Sequence, residues 1–210
     1  MTDTDNTMPN PLEKSATPAF SICVYCGSRS GLDERFAALA EAVGTWIGKH
    51  QGQLVYGGGH NGLMGIVADA TLAAGGRVIG VIPRALVEKE WAHNGCTELL
   101  IVETMHDRKR IMAEYADSFL ALPGGIGTME EFFEVWTWRQ LGYHDKPIGL
   151  LNSGGYYDSL LVFLQSAVTA GFMDQSLMAL IQSSSDEDFL LSNLIEASKR
   201  SNIRQDLAQI

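Results

Sequence analysis

The stretch Leu120-Ala121-Leu122-Pro123-Gly124-Gly125-Ile126-Gly127-Thr128-Met129-Glu130-Glu131 carries the clearest fold signal in this 210-residue chain. The apolar run from Ser118 to Leu122 predicts a buried strand. A proline and three glycines end it. Met129, Phe132, Phe133 and Trp136 then recur at i, i+3, i+4 and i+7, which predicts a helix with one apolar stripe. The turn therefore joins the carboxyl end of a strand to the amino end of a helix, where open α/β sheets bind ligands. Glycines let the backbone pass close to a ligand, and unpaired N–H groups at a helix start attract anions. Thr128 is expected to cap the helix or touch a phosphate, and Glu130 and Glu131 to occupy its first turn. A plain turn with dipole-favoured acids would read similarly. A second Gly-rich strand-to-helix turn upstream favours the ligand.

That second turn is Gly57-Gly58-Gly59-His60-Asn61-Gly62-Leu63-Met64-Gly65, after a strand at Gln53 to Tyr56. Its Gly57-x-Gly59-x-x-Gly62 core resembles the dinucleotide fingerprint. It follows the second strand rather than the first, however, and the third strand (Arg77 to Ile82) ends in Pro83-Arg84 with no acid for a ribose. It reads as a phosphate or nucleotide cradle without a dinucleotide. Asp69, one helical turn past Gly65, faces either this site or solvent. The first strand, Phe20 to Tyr25, runs into Cys26-Gly27-Ser28-Arg29-Ser30-Gly31 and a helix near Asp33. Ser28, Arg29 and Ser30 either hold a phosphate or ribose or simply end the strand.

Residues 85–95 read as a loop that could serve as a lid, with Glu88, Glu90, Trp91 and His93. A strand follows at Leu99 to Val102. Met105 opens a helix whose early Arg108, Lys109 and Arg110 oppose the dipole preference, a mild pointer to function. Strands at Lys146–Asn152 and Met178–Gln182 and helices at Tyr156–Ala170 and Asp186–Lys199 complete the pattern. Strands alternating with helices predict one doubly wound parallel α/β sheet with helices on both faces. The single domain is expected over residues 19–200, with a disordered tail at 1–18 and a C-terminal tail at 201–210. On the central helix, Thr128, Glu131, Glu134 and Trp138 are expected on one side and the apolar stripe on the other. Trp138 and Leu141 would then be available to a partner or a second subunit.

A net charge of −10 argues against a nucleic-acid polymer or an anionic membrane as partner, while a helix end still accepts a small anion. Cys23, Cys26 and Cys96 are an odd set, read as reduced thiols of a cytoplasmic protein. No run of 18 apolar residues and no secretory h-region is seen. With Glu131 expected at an anion site and Arg108 on a separate helix, the arrangement allows a specific chemistry. Cleavage of an N-glycosidic bond passes through an oxocarbenium-like state that a carboxylate stabilises or serves by activating water.

Pro123-Gly124-Gly125-x-Gly127-Thr128-x-x-Glu131, with Met105-His106-x-Arg108-Lys109 upstream, resembles the LOG (Lonely guy) family of cytokinin riboside 5′-monophosphate phosphoribohydrolases, often labelled lysine decarboxylase-like. Supporting stretches are Val24 to Ser28, Tyr56 to Gly59, Gly62 to Gly65, Gly80 to Pro83, and Lys146-Pro147 through Asp158. The likeness spans about residues 20 to 190. It implies a Rossmann-like fold, a homodimer, and neither metal nor redox cofactor. It implies hydrolysis of an N6-substituted adenosine 5′-monophosphate to free base and ribose 5-phosphate. By matching position, Arg108 and Glu131 form the catalytic pair. Substrate contacts fall to Lys109, Gly124, Gly125, Ile126, Gly127, Thr128, Met129 and Glu130. Glu90 and Thr137 join them from outside the strict motif. Gly27, Ser28, Gly58, Gly59, Gly62, Met105, Pro123 and Glu134 complete the candidate contacts. The alternatives are a nucleosidase for plain AMP and a non-catalytic nucleotide or molybdenum-cofactor carrier. A carrier has no need of both Arg108 and Glu131. A pyridoxal decarboxylase would need a Schiff-base lysine, and the lysine in a site-like stretch, Lys109, is taken up by phosphate binding.

Overall fold

Short, mostly apolar runs form strands β1 (Ser21–Tyr25), β2 (Gln53–Tyr56), β3 (Arg77–Pro83), β4 (Glu98–Val102), β5 (Ser118–Ala121) and β6 (Ile148–Leu151), and the more polar Ile181–Ser184 forms β7. The central ones are buried on both faces, as strands of a helix-covered parallel sheet are. The computed structural model describes residues 17–87 and 91–208, with side chains as far as 200. Most of the expected N-terminal tail, Glu88 and Glu90 lie outside these residues. The helices are α1 (Glu34–Lys49), α2 (Gly62–Ala73), α3 (Met105–Tyr115), α4 (Ile126–Gln140), α5 (Asp158–Thr169), α6 (Gln175–Met178) and α7 (Glu187–Ala208).

All strand pairs are parallel, in the order β4-β3-β2-β1-β5-β6-β7. One core forms where α1, α2 and α7 cover the sheet, around Val43, Ile47, Leu54, Val67, Leu120 and Leu194. The opposite core includes Cys23, Val55, Met112, Phe119, Phe132 and Leu150, beneath α3 and α4. Successive strand residues alternate between the two, so Cys23 and Cys26, three apart, belong to opposite cores. All three cysteines are free thiols. Burial pushes the thiols of Cys23 and Cys26 well up, which suits packing rather than redox exchange.

The order of strands reverses at β1, which has β2 on one side and β5 on the other. Pairing continues past these two strands: Leu122 N donates to Tyr25 O at 2.9 Å and Gly27 N to Pro123 O at 3.1 Å. The loops after β1 and β5 are therefore locked side by side at the switch point.

Three expectations shift. The final strand lies at Ile181–Ser184, not Met178–Gln182, because Gln175–Met178 makes a helical turn that packs Leu177 and Met178 against the core. The last helix runs on to Ala208, past the expected end at Lys199. Gly125 is the N-cap of α4, so the helix begins at Ile126 and Glu130 and Glu131 fall beyond its first turn.

Candidate active site

The loops at the switch point open into a cleft of about 570 Å³. Cys26 to Gly31 after β1 and Pro123 to Thr128 after β5 line it. Leu63 and Met64 of α2, Phe36 of α1, Tyr156 after β6, Arg108 of α3 and Glu131 of α4 complete it.

The amino end of α4 forms the polar heart of this cleft. Met129 N bonds back to Gly125 O at 3.1 Å, so Ile126, Gly127 and Thr128 precede the first intrahelical amide donor. Such N–H groups, with the helix dipole behind them, favour an anion. Thr128 is only 3% exposed, and a Cβ on Gly124 would collide with its hydroxyl. Thr128 thus belongs to the buried side of α4, with Phe132, Val135 and Trp136, rather than to the polar side expected for it. Met129 and Phe133 are half-buried at the margin of that stripe.

Arg108 comes from α3, whose start is capped by Thr104: its hydroxyl accepts from Asp107 N at 3.0 Å. One residue on, the Arg108 side chain turns inward and is 5% exposed. Its Nη2 donates to Gly57 O at 2.7 Å and its Nε to Val81 O at 3.1 Å. Gly57 is glycine for a steric reason, because a Cβ there would collide with Nη2. The guanidinium is thus fixed across β2 and β3 while bordering the cleft. Glu131 is half-buried on the cleft wall, and its negative charge adds to burial in holding the Cys26 thiol up.

The other basic residues of α3 are paired outside the cleft lining. Lys109 Nζ donates to Glu130 Oε1 at 2.6 Å and Glu134 Oε1 at 2.9 Å, bridging α3 to α4. Burial alone would lower the Lys109 pKa, but these two carboxylates outweigh it and hold the pKa up. Arg110 pairs with Glu114 and Asp107.

The cleft gathers Gly27, Ser28, Arg29, Ser30, Arg108, Pro123, Gly124, Gly125, Ile126, Gly127, Thr128 and Glu131 from the residues singled out in the sequence. Met105, Lys109, Met129, Glu130, Glu134 and Thr137 are not among its lining. Nor are Gly58, Gly59 and Gly62; from the turn read as a phosphate or nucleotide cradle, Leu63 and Met64 are the residues that line the cleft. Gly58 packs near Ile82 and Leu99, Gly59 bridges to Ala92, and Gly62 lies against the Ser28–Arg29 backbone. Sequence reading missed Phe36 and Tyr156 as cleft residues, and named Leu63 and Met64 only as part of the glycine turn. Tyr156 donates its hydroxyl to Gly124 O at 2.7 Å and meets Phe36 edge-on at 5.4 Å. Its place after β6, beside β5, was the available signal, but the strand order had to be known to use it.

A family profile described as "Possible lysine decarboxylase" matches residues 64–194. A cytokinin riboside 5′-monophosphate phosphoribohydrolase of Rhodococcoides fascians is 49% identical over 154 residues, covering 73% of this chain and 78% of that protein. An Arabidopsis thaliana protein of the same name is also 49% identical, over 155 residues, covering 74% of this chain and 68% of the relative. The chain belongs to the LOG family. Among solved structures, the molybdenum cofactor carrier protein of Chlamydomonas reinhardtii superposes with a TM-score of 0.62 at 19% identity, covering 84% of this chain and 96% of that one. That likeness concerns the fold, which is Rossmann-like. The decarboxylase wording of the LOG profile finds no Schiff-base candidate here: among the described residues no lysine lines the cleft. Lys109 is tied to two glutamates, and Lys146 donates to Ala113 O at 2.8 Å.

Proposed function

We propose that this cleft hydrolyses the N-glycosidic bond of N6-substituted adenosine 5′-monophosphate, releasing free base and ribose 5-phosphate. The observation that carries the reading is the convergence of Arg108, Glu131 and the amino end of α4 on one cleft at the switch point. The phosphate rests against the first-turn N–H groups of α4. Glu131 lies five residues beyond Ile126, about 7.5 Å along the helix axis, a span that a ribose 5-phosphate can bridge. There its carboxylate takes a proton from the attacking water. The water oxygen bonds to C1′, and the C1′–N9 electron pair leaves with the base, which takes up the proton that Glu131 removed from the water. The same carboxylate stabilises the positive charge of the oxocarbenium-like state. Arg108, held by two backbone carbonyls, presents a fixed positive charge to the phosphate or the departing base. Phe36, Leu63, Met64, Ile126 and Tyr156 give the base and its N6 substituent apolar surroundings.

A release assay tests this reading. The chain is incubated with AMP, isopentenyl-AMP and the corresponding nucleosides, and free base and ribose 5-phosphate are followed. Base is expected from the monophosphates and not the nucleosides. Glu131→Gln should lose about 10²–10⁴-fold in kcat. Binding of either nucleotide without base release would overturn the enzyme reading and favour a carrier.

The reading extends to a cytoplasmic homodimer. Three free thiols fit a reducing compartment. Helix α5, which packs Leu164 into the core that holds Phe119 and Leu150, leaves Phe163 66% exposed beside Val162, a surface suited to a second copy. Light scattering should find a dimer that Phe163→Asp weakens; a monomeric wild-type chain would refute the assembly.

A further inference from the structure

We propose that His60, Asp69 and His93 form a binding site for a divalent transition-metal ion, separate from the cleft. His60 follows β2, Asp69 lies on α2, and His93 comes from the segment between β3 and β4. None of the three lines the cleft. Asp69 is five residues beyond Met64, and thus about 140° around α2 from that cleft residue.

The ligand atoms are already gathered. His60 Nε2 is 3.0 Å from Asp69 Oδ2, and His93 Nε2 is 3.2 Å from Asp69 Oδ1. One ligating atom from each residue falls within 4.8 Å of the others. Donors around a tetrahedral ion with bonds near 2.0–2.1 Å are about 3.3 Å apart, close to the two contacts that Asp69 already makes. Two imidazoles and one carboxylate suit zinc and its neighbours better than magnesium or calcium, which prefer all-oxygen sets. Three protein ligands leave a position for water.

The fold holds the two histidines in place through their backbones. His60 N donates to Trp91 O at 3.0 Å and His93 N to Gly58 O at 2.9 Å, on either side of the Gly59–Ala92 bridge. The His93 ring is buried, with Nδ1 at 3.0 Å from the Tyr56 hydroxyl, which lies 3.4 Å from Cys96 Sγ. This is the outer partner that a metal-bound histidine requires. Without metal, the Tyr56 hydroxyl can donate to Nδ1 while Nε2–H donates to Asp69. With metal, His93 carries its proton on Nδ1 and donates to Tyr56, which turns its own proton toward Cys96. The Nε2 lone pair is then free for the ion, and His93 loses no net proton.

One rearrangement is required. The two rings stack at 4.3 Å with 12° between their planes, and an ion between parallel rings would lie outside both. His60, whose side chain is 48% exposed against 6% for His93, turns to bring Nε2 toward the shared point. A bound ion would staple the segment around His93 to the turn after β2. That turn carries Gly57 O, the carbonyl that anchors Arg108.

The test uses the untagged full chain, stripped with chelator and titrated with Zn²⁺ by calorimetry and with Co²⁺ by visible absorption. The expectation is one equivalent bound, a cobalt spectrum of low coordination number, and a Tm raised by zinc. His60→Ala and Asp69→Ala, both at exposed side chains, should fold, bind at least about 100-fold more weakly and lose the zinc-dependent rise in Tm. Absence of a one-equivalent site in the wild-type chain would overturn the proposal. So would wild-type affinity in either variant.

Discussion

Adding one methyl group at Gly57 should disable the proposed active site without touching substrate. The backbone of Gly57 lies outside the left-handed region, so alanine is conformationally acceptable there. The cost falls on the Arg108 guanidinium, which the new Cβ would strike at Nη2 and approach to 3.1 Å at Cζ. Nη2 then gives up its 2.7 Å bond to Gly57 O. A hydrogen bond to a charged group contributes about 1.5–3 kcal/mol. If the bond positions Arg108 for the transition state, that loss appears in kcat/KM as about 10- to 150-fold, at roughly 1.4 kcal/mol per decade. The assay is base release from a nucleoside 5′-monophosphate, with thermal unfolding measured in parallel to show that Gly57→Ala remains folded. Because both changes act through one guanidinium, Gly57→Ala should add little in an Arg108→Lys background. A folded Gly57→Ala protein within threefold of wild-type kcat/KM would refute the reasoning, as would full additivity with Arg108→Lys.

Two further predictions concern the helix start and pH. Gly127 sits in the first turn of α4 with open space where a Cβ would go. Gly127→Ala should stabilise the fold by up to about 1 kcal/mol, a Tm gain of roughly 2–4 °C. It should also raise KM for monophosphates by crowding the proposed phosphate position; unchanged KM with a raised Tm would move the phosphate elsewhere. His144 donates Nε2–H to Val135 O at 3.0 Å and accepts at Nδ1 from Lys146 N at 3.1 Å, an arrangement that requires the neutral ring. Burial lowers its pKa first of all, and His93 is lowered too. The unfolded chain therefore binds more protons below the ordinary histidine value near 6.5, and this stability is lost as pH falls from there through the folded values. Denaturation at pH 7.5 and 5.5 should show a smaller acid loss in His144→Gln than in wild type, and equal slopes would count against this role.

The sheet and its helices were legible because period and punctuation carried them. The strand at Gln53–Tyr56 falls where the sequence placed it, and those at Ser21–Tyr25 and Ser118–Ala121 lie within a residue or so. Local rules failed where a tertiary contact outweighed them. Thr128 reads as a polar helix-face residue, yet the close approach of Gly124 covers it. The Gly57–Gly65 turn reads as a ligand cradle, and its Leu63 and Met64 do line the cleft; its glycines mark close approach without naming what approaches, which at Gly57 is the Arg108 side chain and at Gly62 the Ser28–Arg29 backbone.

Residue type and spacing along one chain were enough to establish an alternating α/β pattern, free cysteines, the glycine turn before α4, and Arg108 and Glu131 as candidates. Three-dimensional packing was needed to show that the loops after β1 and β5 share a cleft, that Phe36 and Tyr156 join it, and that Lys109 is spent on Glu130 and Glu134. It alone brought His60, Asp69 and His93 together, across 33 residues of sequence. Strand order sets such meetings: parallel strands must be joined by crossovers, so residues that share a site come from loops far apart in the chain.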